Sequence, residues 1–89
     1  MKAIAFSPTI YKQLQELRHK DQRLFRKIQK QLALFQQNPK HKSLRLHKLK
    51  GNLQGVWSIS IDMNFRMLYK EDEEIYFFDM GTHDEVYRK

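Results

Sequence analysis

Four side chains able to carry acid–base or anion-binding chemistry stand out in the second half of this sequence. His47 lies in a basic run and Arg66 in an apolar run, while His83 and Tyr87 lie four positions apart near the end. Imidazole titrates near neutral pH, so a histidine can take or give a proton under cellular conditions. A guanidinium on a rigid strand is a preorganised clamp for a phosphate. Whether the four residues form one site depends on the elements that position them.

Each of these residues also has an ordinary alternative explanation. His47 could be a solvated residue of a basic loop, and His83 could simply belong to a turn. Arg66 could form a cross-strand ion pair with Asp62 or with an acid of "EDEE". Tyr87 could be a packing residue that closes the end of the sheet. The residue types alone leave these alternatives open.

Charge is segregated along the chain. The formal net charge is +7, no acid occurs from residue 22 to residue 61, and four of the ten acids stand together in "EDEE". Such asymmetry predicts a polyanion or an acidic protein as partner, although a merely basic, solvated surface is the alternative. The acid-free segment carries Arg23, Arg26, Lys27, Lys30, Lys40, Lys42, Arg45, Lys48 and Lys50.

Length and composition exclude several classes of protein. With 89 residues and no cysteine, we expect one domain over residues 1–89, without disulfides or a thiolate zinc site. No apolar run is long enough for a signal peptide or a membrane span, so we expect a soluble, cytoplasmic protein. His41, His47 and His83 have no acidic partner nearby, and we expect neither a metal site nor a cofactor.

The first half predicts a strand and a helical hairpin. "KAIAF" suits a short strand, Ser7 is placed to cap a helix that starts at Pro8, and Asp21 to cap a second helix ending at "NP". The two apolar stripes, typical of a helix face in the core, are Ile10, Leu14 and Leu17, then Leu24, Ile28, Leu32 and Phe35.

The second half predicts a basic loop and a meander. "KHKSLRLHKLKGNLQG" is interpreted as a loop that Leu44, Leu46 and Leu49 pin to the body. "VWSISI" predicts a strand with one buried face, "FRMLYK" its partner, "IYFFDM" a central strand, and Gly81 a turn after it. The expected fold class is α+β: an N-terminal strand and a two-helix hairpin packed on an antiparallel sheet with a three-stranded meander.

Two stretches carry a family resemblance. "HKLKGNLQGVWSISIDMNFRMLY" and "GTHDEVY" resemble the RelE/ParE superfamily of bacterial toxins, most closely the messenger-RNA-cleaving branch that contains YoeB and YafQ. The resemblance is close over residues 44–87 and holds only in element order before them. An acid–base residue before "LKG" and a histidine near the C-terminus distinguish the ribonucleases of this superfamily from its gyrase-inhibiting members, and both features are present. The resemblance therefore implies a RelE/ParE-like fold and an endoribonuclease.

The resemblance also implies roles for individual residues. Metal-independent RNA cleavage needs a base for the 2′-hydroxyl, an acid for the leaving 5′-oxygen and a cation for the phosphate. His47 corresponds to the general base, His83 to the general acid and Arg66 to the phosphate-binding arginine. Tyr87 corresponds to an aromatic residue that stacks on a base or assists proton transfer. The expected RNA-binding residues of the basic loop are Lys42, Arg45, Lys48 and Lys50.

The partners implied by the resemblance are a cognate antitoxin in a hetero-oligomer, messenger RNA and the ribosome, without a membrane. The acid-free segment is expected to bind RNA and an acidic antitoxin segment in a mutually exclusive manner. The alternatives are a non-catalytic ParE-like toxin that binds a protein such as DNA gyrase, and a degenerate toxin that serves only as a repressor partner. "IDMNF" departs from the pattern because it offers only Asp62, which we expect its own turn to occupy.

Overall fold

The computed structural model describes residues 2–87, apart from the side chain at position 52. Its elements confirm the predicted α+β class. The strands are β1 (Ile4–Phe6), β2 (His47–Lys48), β3 (Trp57–Ser60), β4 (Phe65–Glu71) and β5 (Ile75–Thr82). The helices are α1 (Pro8–Lys20), α2 (Gln22–Gln37) and α3 (His83–Tyr87), and two 3₁₀ turns cover Lys42–Leu44 and Gly51–Leu53.

The helical hairpin begins at the predicted caps. The Ser7 hydroxyl accepts a hydrogen bond from the Ile10 amide at 3.1 Å, and Pro8 stands first in α1, where no amide hydrogen is needed. Asp21 ends α1 and starts α2, since its carboxylate accepts from the Leu24 amide at 3.1 Å. One residue therefore serves both helices and makes the turn between them tight.

The sheet has the strand order β1-β5-β4-β3-β2. β1 pairs with β5 in parallel and the other pairs are antiparallel. The expected antiparallel sheet with its three-stranded meander is therefore confirmed for β2 to β5 and is wrong for the β1 edge. The central strand is β4, whereas "IYFFDM" lies in β5 beside it. The segment expected to be a loop contributes an edge strand, because His47 pairs with Ser58 and Lys48 with Trp57.

The main core lies between the two long helices and one face of the sheet. The predicted stripes supply Ile10, Ile28 and Phe35, which are all buried, and their partly buried neighbours pack around them. Each such side chain stabilises the fold by about 1.5 to 3 kcal/mol through removal of apolar surface from water. The sheet contributes Ile59, Ile61, Met67, Tyr69, Ile75 and Phe77.

A second, smaller core covers the opposite face. Its buried members are Leu49, Val56, Leu68 and Val86. Ser58 and Ser60 point to this face and are 0% and 5% exposed, so the expectation of a strand with one buried face is wrong. The alternation of "VWSISI" distinguishes an apolar face from a polar one, but it does not reveal that a distant segment covers the polar face.

The junction between β5 and α3 differs from the expected glycine turn. Gly81 continues β5 opposite Arg66, and a Cβ there would lie 2.9 Å from the Glu85 carboxylate. Thr82 and Glu85 form a capping box: the Thr82 amide donates to the Glu85 carboxylate at 2.7 Å, and the Glu85 amide donates to the Thr82 hydroxyl at 3.3 Å. The glycine is therefore required by close approach, and the capping box starts α3.

The acids of "EDEE" lie at the far end of the sheet from this junction. They occupy the end of β4 and its connection to β5. The first of them, Glu71, lies five residues along β4 from Arg66, or roughly 17 Å in an extended strand.

Among the described residues, no helix combines the length and apolar character needed to cross a membrane.

Candidate active site

A groove of about 550 Å³ opens on the sheet face that α1 and α2 leave free. All four candidate catalytic residues line it. The lining residues are Arg45, Leu46, His47, Leu49, Arg66, His83 and Tyr87. The structure thus brings together side chains from a short edge strand, the central strand and the C-terminal helix.

Strand pairing and helix periodicity place these side chains on the same side. His47 stands opposite Ser58 across the β2–β3 pair, so the two side chains share a sheet face. Arg66 lies near the start of β4, on the face opposite the main core. His83 and Tyr87 are four apart on α3 and therefore neighbours along one helix face.

The Arg66 guanidinium is held at two points. Its Nε donates to the Ser58 hydroxyl at 2.7 Å and its Nη2 to the Arg45 carbonyl at 3.1 Å. Both acceptors are neutral, so these contacts leave the positive charge uncompensated, unlike the cross-strand ion pair considered from the sequence. Nη1 takes part in neither bond. This arrangement suits the binding of an anion in the groove.

Arg45 forms part of the groove wall in an unusual backbone conformation. Its φ of 45° lies in the left-handed region, where a non-glycine residue is strained by about 1 kcal/mol or more. Its amide donates to the Lys42 carbonyl at 3.1 Å, and its own carbonyl accepts from Arg66. Strain of this kind concentrates at functional sites, and here it places a carbonyl where it fixes the guanidinium.

The other expected RNA-binding residues lie outside the groove lining. Lys48 alternates with His47 along β2 and holds its ammonium group 5.5 Å from the centre of the Trp57 ring. Lys42 and Lys50 are exposed on the segments that flank β2. The structure therefore joins Arg45 to the candidate catalytic residues, whereas none of these three lysines lines the groove.

The two α3 side chains contact each other. The rings of His83 and Tyr87 meet edge to face, with centroids 4.3 Å apart. The Tyr87 hydroxyl donates to Ser58 at 2.6 Å, and the ring lies 6.0 Å from the Arg66 Cζ. The Tyr87 hydroxyl thus already has a partner, and the half-buried ring packs against the second core, the packing position considered as the alternative from the sequence. The His83 side chain remains 68% exposed and its Nδ1 lies 3.7 Å from the Asp84 carboxylate.

The electrostatic character of the groove is basic. Arg45 and Arg66 are cationic, and among the described residues that line the groove none is acidic. His47 and His83 add positive charge whenever they are protonated. A groove of this character attracts a polyanion or a segment rich in carboxylates.

Asp62 lies outside the groove lining, occupied by its own turn as expected. Its carboxylate accepts from the Asn64 and Phe65 amides, both at 2.8 Å, and pairs with Lys27 at 3.1 Å. Burial acts to raise the pKa of Asp62, but these hydrogen bonds and the charge of Lys27 outweigh burial and lower it below its ordinary value. Asp62 therefore stays ionised and structural.

Sequence reasoning missed Ser58. This serine is fully buried, yet it contacts both Arg66 and Tyr87. The only signal for it was its place in the stretch "HKLKGNLQGVWSISIDMNFRMLY" that carries the family resemblance. A serine in an alternating strand otherwise indicates a solvent-facing position.

The fold and this groove define the class of protein as a RelE/ParE-superfamily toxin. Residues 2–88 match the model of the family described as a bacterial toxin of type II toxin–antitoxin systems, YafQ. The chain belongs to this family.

Individual relatives agree with that assignment. The structure is similar to that of YoeB in the YoeB–YefM complex from Staphylococcus aureus, with a TM-score of 0.74 at 25% identity over 93% of this chain and 98% of that one. For YafQ from E. coli strain BL21(DE3) the TM-score is 0.70 at 21% identity, over 98% and 99% of the two chains. The protein named RelE4 from Methanocaldococcus jannaschii is 29% identical over 92 residues, 100% of this chain and 94% of its own. The predicted RelE/ParE-like fold is confirmed.

Proposed function

We propose that this toxin is an endoribonuclease that cleaves messenger RNA by metal-independent acid–base catalysis. One observation carries the proposal: His47, Arg66 and His83, far apart in sequence, line one basic groove. Messenger-RNA cleavage is known for YafQ and YoeB toxins, and the groove supplies the side chains which that reaction needs. A toxin that only binds a protein target has no chemical need for two histidines beside an arginine.

The proposed reaction is a transesterification within the substrate. His47 takes the proton of a 2′-hydroxyl as its oxygen attacks the adjacent phosphorus. The bond from phosphorus to the 5′-oxygen breaks, and His83 gives that oxygen a proton. The products are a 2′,3′-cyclic phosphate and a 5′-hydroxyl. Arg66 binds the phosphate oxygens, where negative charge increases in the transition state.

Substrate binding uses the residues around this centre. The exposed part of the half-buried Tyr87 ring stacks on a base in this proposal, the usual way of holding single-stranded RNA. Arg45 provides a cation on the groove wall, and Lys42, Lys48 and Lys50 extend positive charge beyond it for neighbouring phosphates. The proposed substrate is therefore single-stranded messenger RNA, bound either on the ribosome or as free RNA.

The proposed physiological partner is a cognate antitoxin. YoeB from S. aureus and YafQ from E. coli form complexes with YefM and DinJ, respectively. In this chain, the partly buried Leu46 stands beside the cations of the groove. An acidic segment with apolar anchors fits such a surface and would exclude RNA from it.

The test is cleavage of RNA by purified variants. We expect His47→Ala and His83→Ala each to lower the rate by about 10² to 10⁴, as for loss of one acid or base. His19→Ala is the matched control, because it removes an exposed histidine of α1 outside the groove lining. The parent should cleave in the presence of a chelator and fail on RNA with one deoxynucleotide at the cut. A folded double variant, His47→Ala with His83→Ala, that cleaves at the parent's rate would overturn the proposal.

A further inference from the structure

Ser58 is the most completely buried polar side chain near the groove. It lies in β3, opposite His47 on one side and Leu68 on the other, with an exposed fraction of 0%. A buried hydroxyl is retained at low cost only when it is hydrogen-bonded. Its partners therefore show what the hydroxyl contributes.

The Ser58 hydroxyl is hydrogen-bonded to two groove residues. Arg66 Nε approaches the oxygen at 2.7 Å and the Tyr87 hydroxyl at 2.6 Å. A guanidinium can only donate, so the serine oxygen must accept from Arg66. A hydroxyl oxygen has two lone pairs, and donation from Tyr87 uses the second. One buried atom thus joins the central strand to the C-terminal helix.

The hydrogen bond to Ser58 restricts the conformation of the Arg66 side chain more than its place in the strand does. An arginine side chain has many rotamers, and anchoring at Nε fixes the plane of the guanidinium, while the bond to the Arg45 carbonyl fixes its rotation. Tyr87 is fixed by the same oxygen, and its ring holds the His83 ring edge-on. Displacing the Ser58 hydroxyl would therefore disturb the phosphate clamp and the proposed general acid together.

We propose that Ser58 is a positioning residue that couples the Arg66 guanidinium to the helix bearing His83 and Tyr87. The expected effect on kcat rests on the proposed function. The coupling itself is a property of the protein without RNA. Ser58 touches no substrate in this scheme and acts through its two partners. Its loss should slow the chemical step rather than weaken RNA binding.

The test compares Ser58→Ala with Ser60→Ala. Ser60 is a buried serine of the same strand, but its hydroxyl donates to the Asp62 carbonyl at 2.6 Å, outside the groove. We expect Ser58→Ala to lower kcat by roughly 10²-fold, the effect of a misplacement of about 1 Å at a catalytic centre, with KM nearly unchanged. Ser60→Ala should keep the parent's kcat.

A spectroscopic measurement separates positioning from general destabilisation. In a nitrogen–proton correlation spectrum, the Arg66 Nε–H should exchange slowly with solvent in the parent and in Ser60→Ala, and quickly in Ser58→Ala. Tyr87→Phe removes the other hydrogen bond to the Ser58 oxygen and leaves the serine in place. This variant tests the coupling even if Ser58→Ala does not fold. It should lower kcat, and adding it to Ser58→Ala should cause no further loss.

The outcomes distinguish the two proposals. Parent-like Nε–H protection in Ser58→Ala, equal kcat values for the two serine variants, or an unchanged kcat in Tyr87→Phe would overturn the coupling. If the folded parent cleaves no RNA while the Nε–H signal responds as expected, the proposed function fails and the coupling stands.

Discussion

Removing the methyl groups of Val86 tests how the C-terminal helix is held in place. Val86 is fully buried in the second core and lies between His83 and Tyr87 on α3. Val86→Ala deletes two methyl groups, worth about 0.8 kcal/mol each on the transfer scale. The cavity left behind adds roughly 24 cal/mol per Å³. The expected loss of unfolding free energy is about 1.5 to 3 kcal/mol, or a fall in Tm of roughly 10 °C for a domain of this size.

The same substitution elsewhere in that core provides the control. Val56 is 3% exposed in the second core but does not belong to α3. Val56→Ala should cost a similar stability, measured by thermal denaturation. Only Val86→Ala should also speed hydrogen exchange of the α3 amides by more than the fall in unfolding free energy explains, since it loosens the helix that carries His83 and Tyr87. For the same reason, only this variant should cleave RNA more slowly.

Two results would refute this reasoning. A Tm within about 2 °C of the parent would mean that Val86 does not pack as the structure shows. Equal exchange rates in α3 for the two variants would mean that the helix is held by its capping box and the Tyr87 bond alone.

Two further predictions concern the elements around the groove. Gly81→Ala should destabilise the fold by about 1 to 3 kcal/mol by thermal denaturation, because the new Cβ meets Glu85; a loss no smaller in the Glu85→Ala background would contradict that cause. Asp62→Asn should lower stability at pH 7 by removing acceptor charge from its turn. Since the pKa of Asp62 is depressed from 3.8 in the folded state, its stabilisation is complete well above pH 3.8 and is lost as the pH falls through the lower, folded value. The gap between parent and variant should therefore close in acid, and a gap independent of pH would contradict the assignment.

Local chemistry in the sequence determined the elements and the type of site. The caps at Ser7 and Asp21 and the two helical stripes needed only neighbours within a few residues, and the structure confirms them. The side-chain chemistry of His47, Arg66 and His83 is likewise given by their residue types, without knowledge of the fold. What they do in catalysis stays a prediction, and their types indicate acid–base and anion-binding chemistry beside the ordinary alternatives.

The tertiary structure decided where those elements meet. β2 exists because His47 and Lys48 find partners about ten residues later, a pairing that no local pattern encodes. β1 joins β5 from the other end of the chain. The covering of the second sheet face by α3 turned Ser58 from an expected surface serine into the buried acceptor for Arg66 and Tyr87. The alternation of residues along a strand distinguishes its apolar face from its polar one. Whether the polar face is buried depends here on a segment almost thirty residues away.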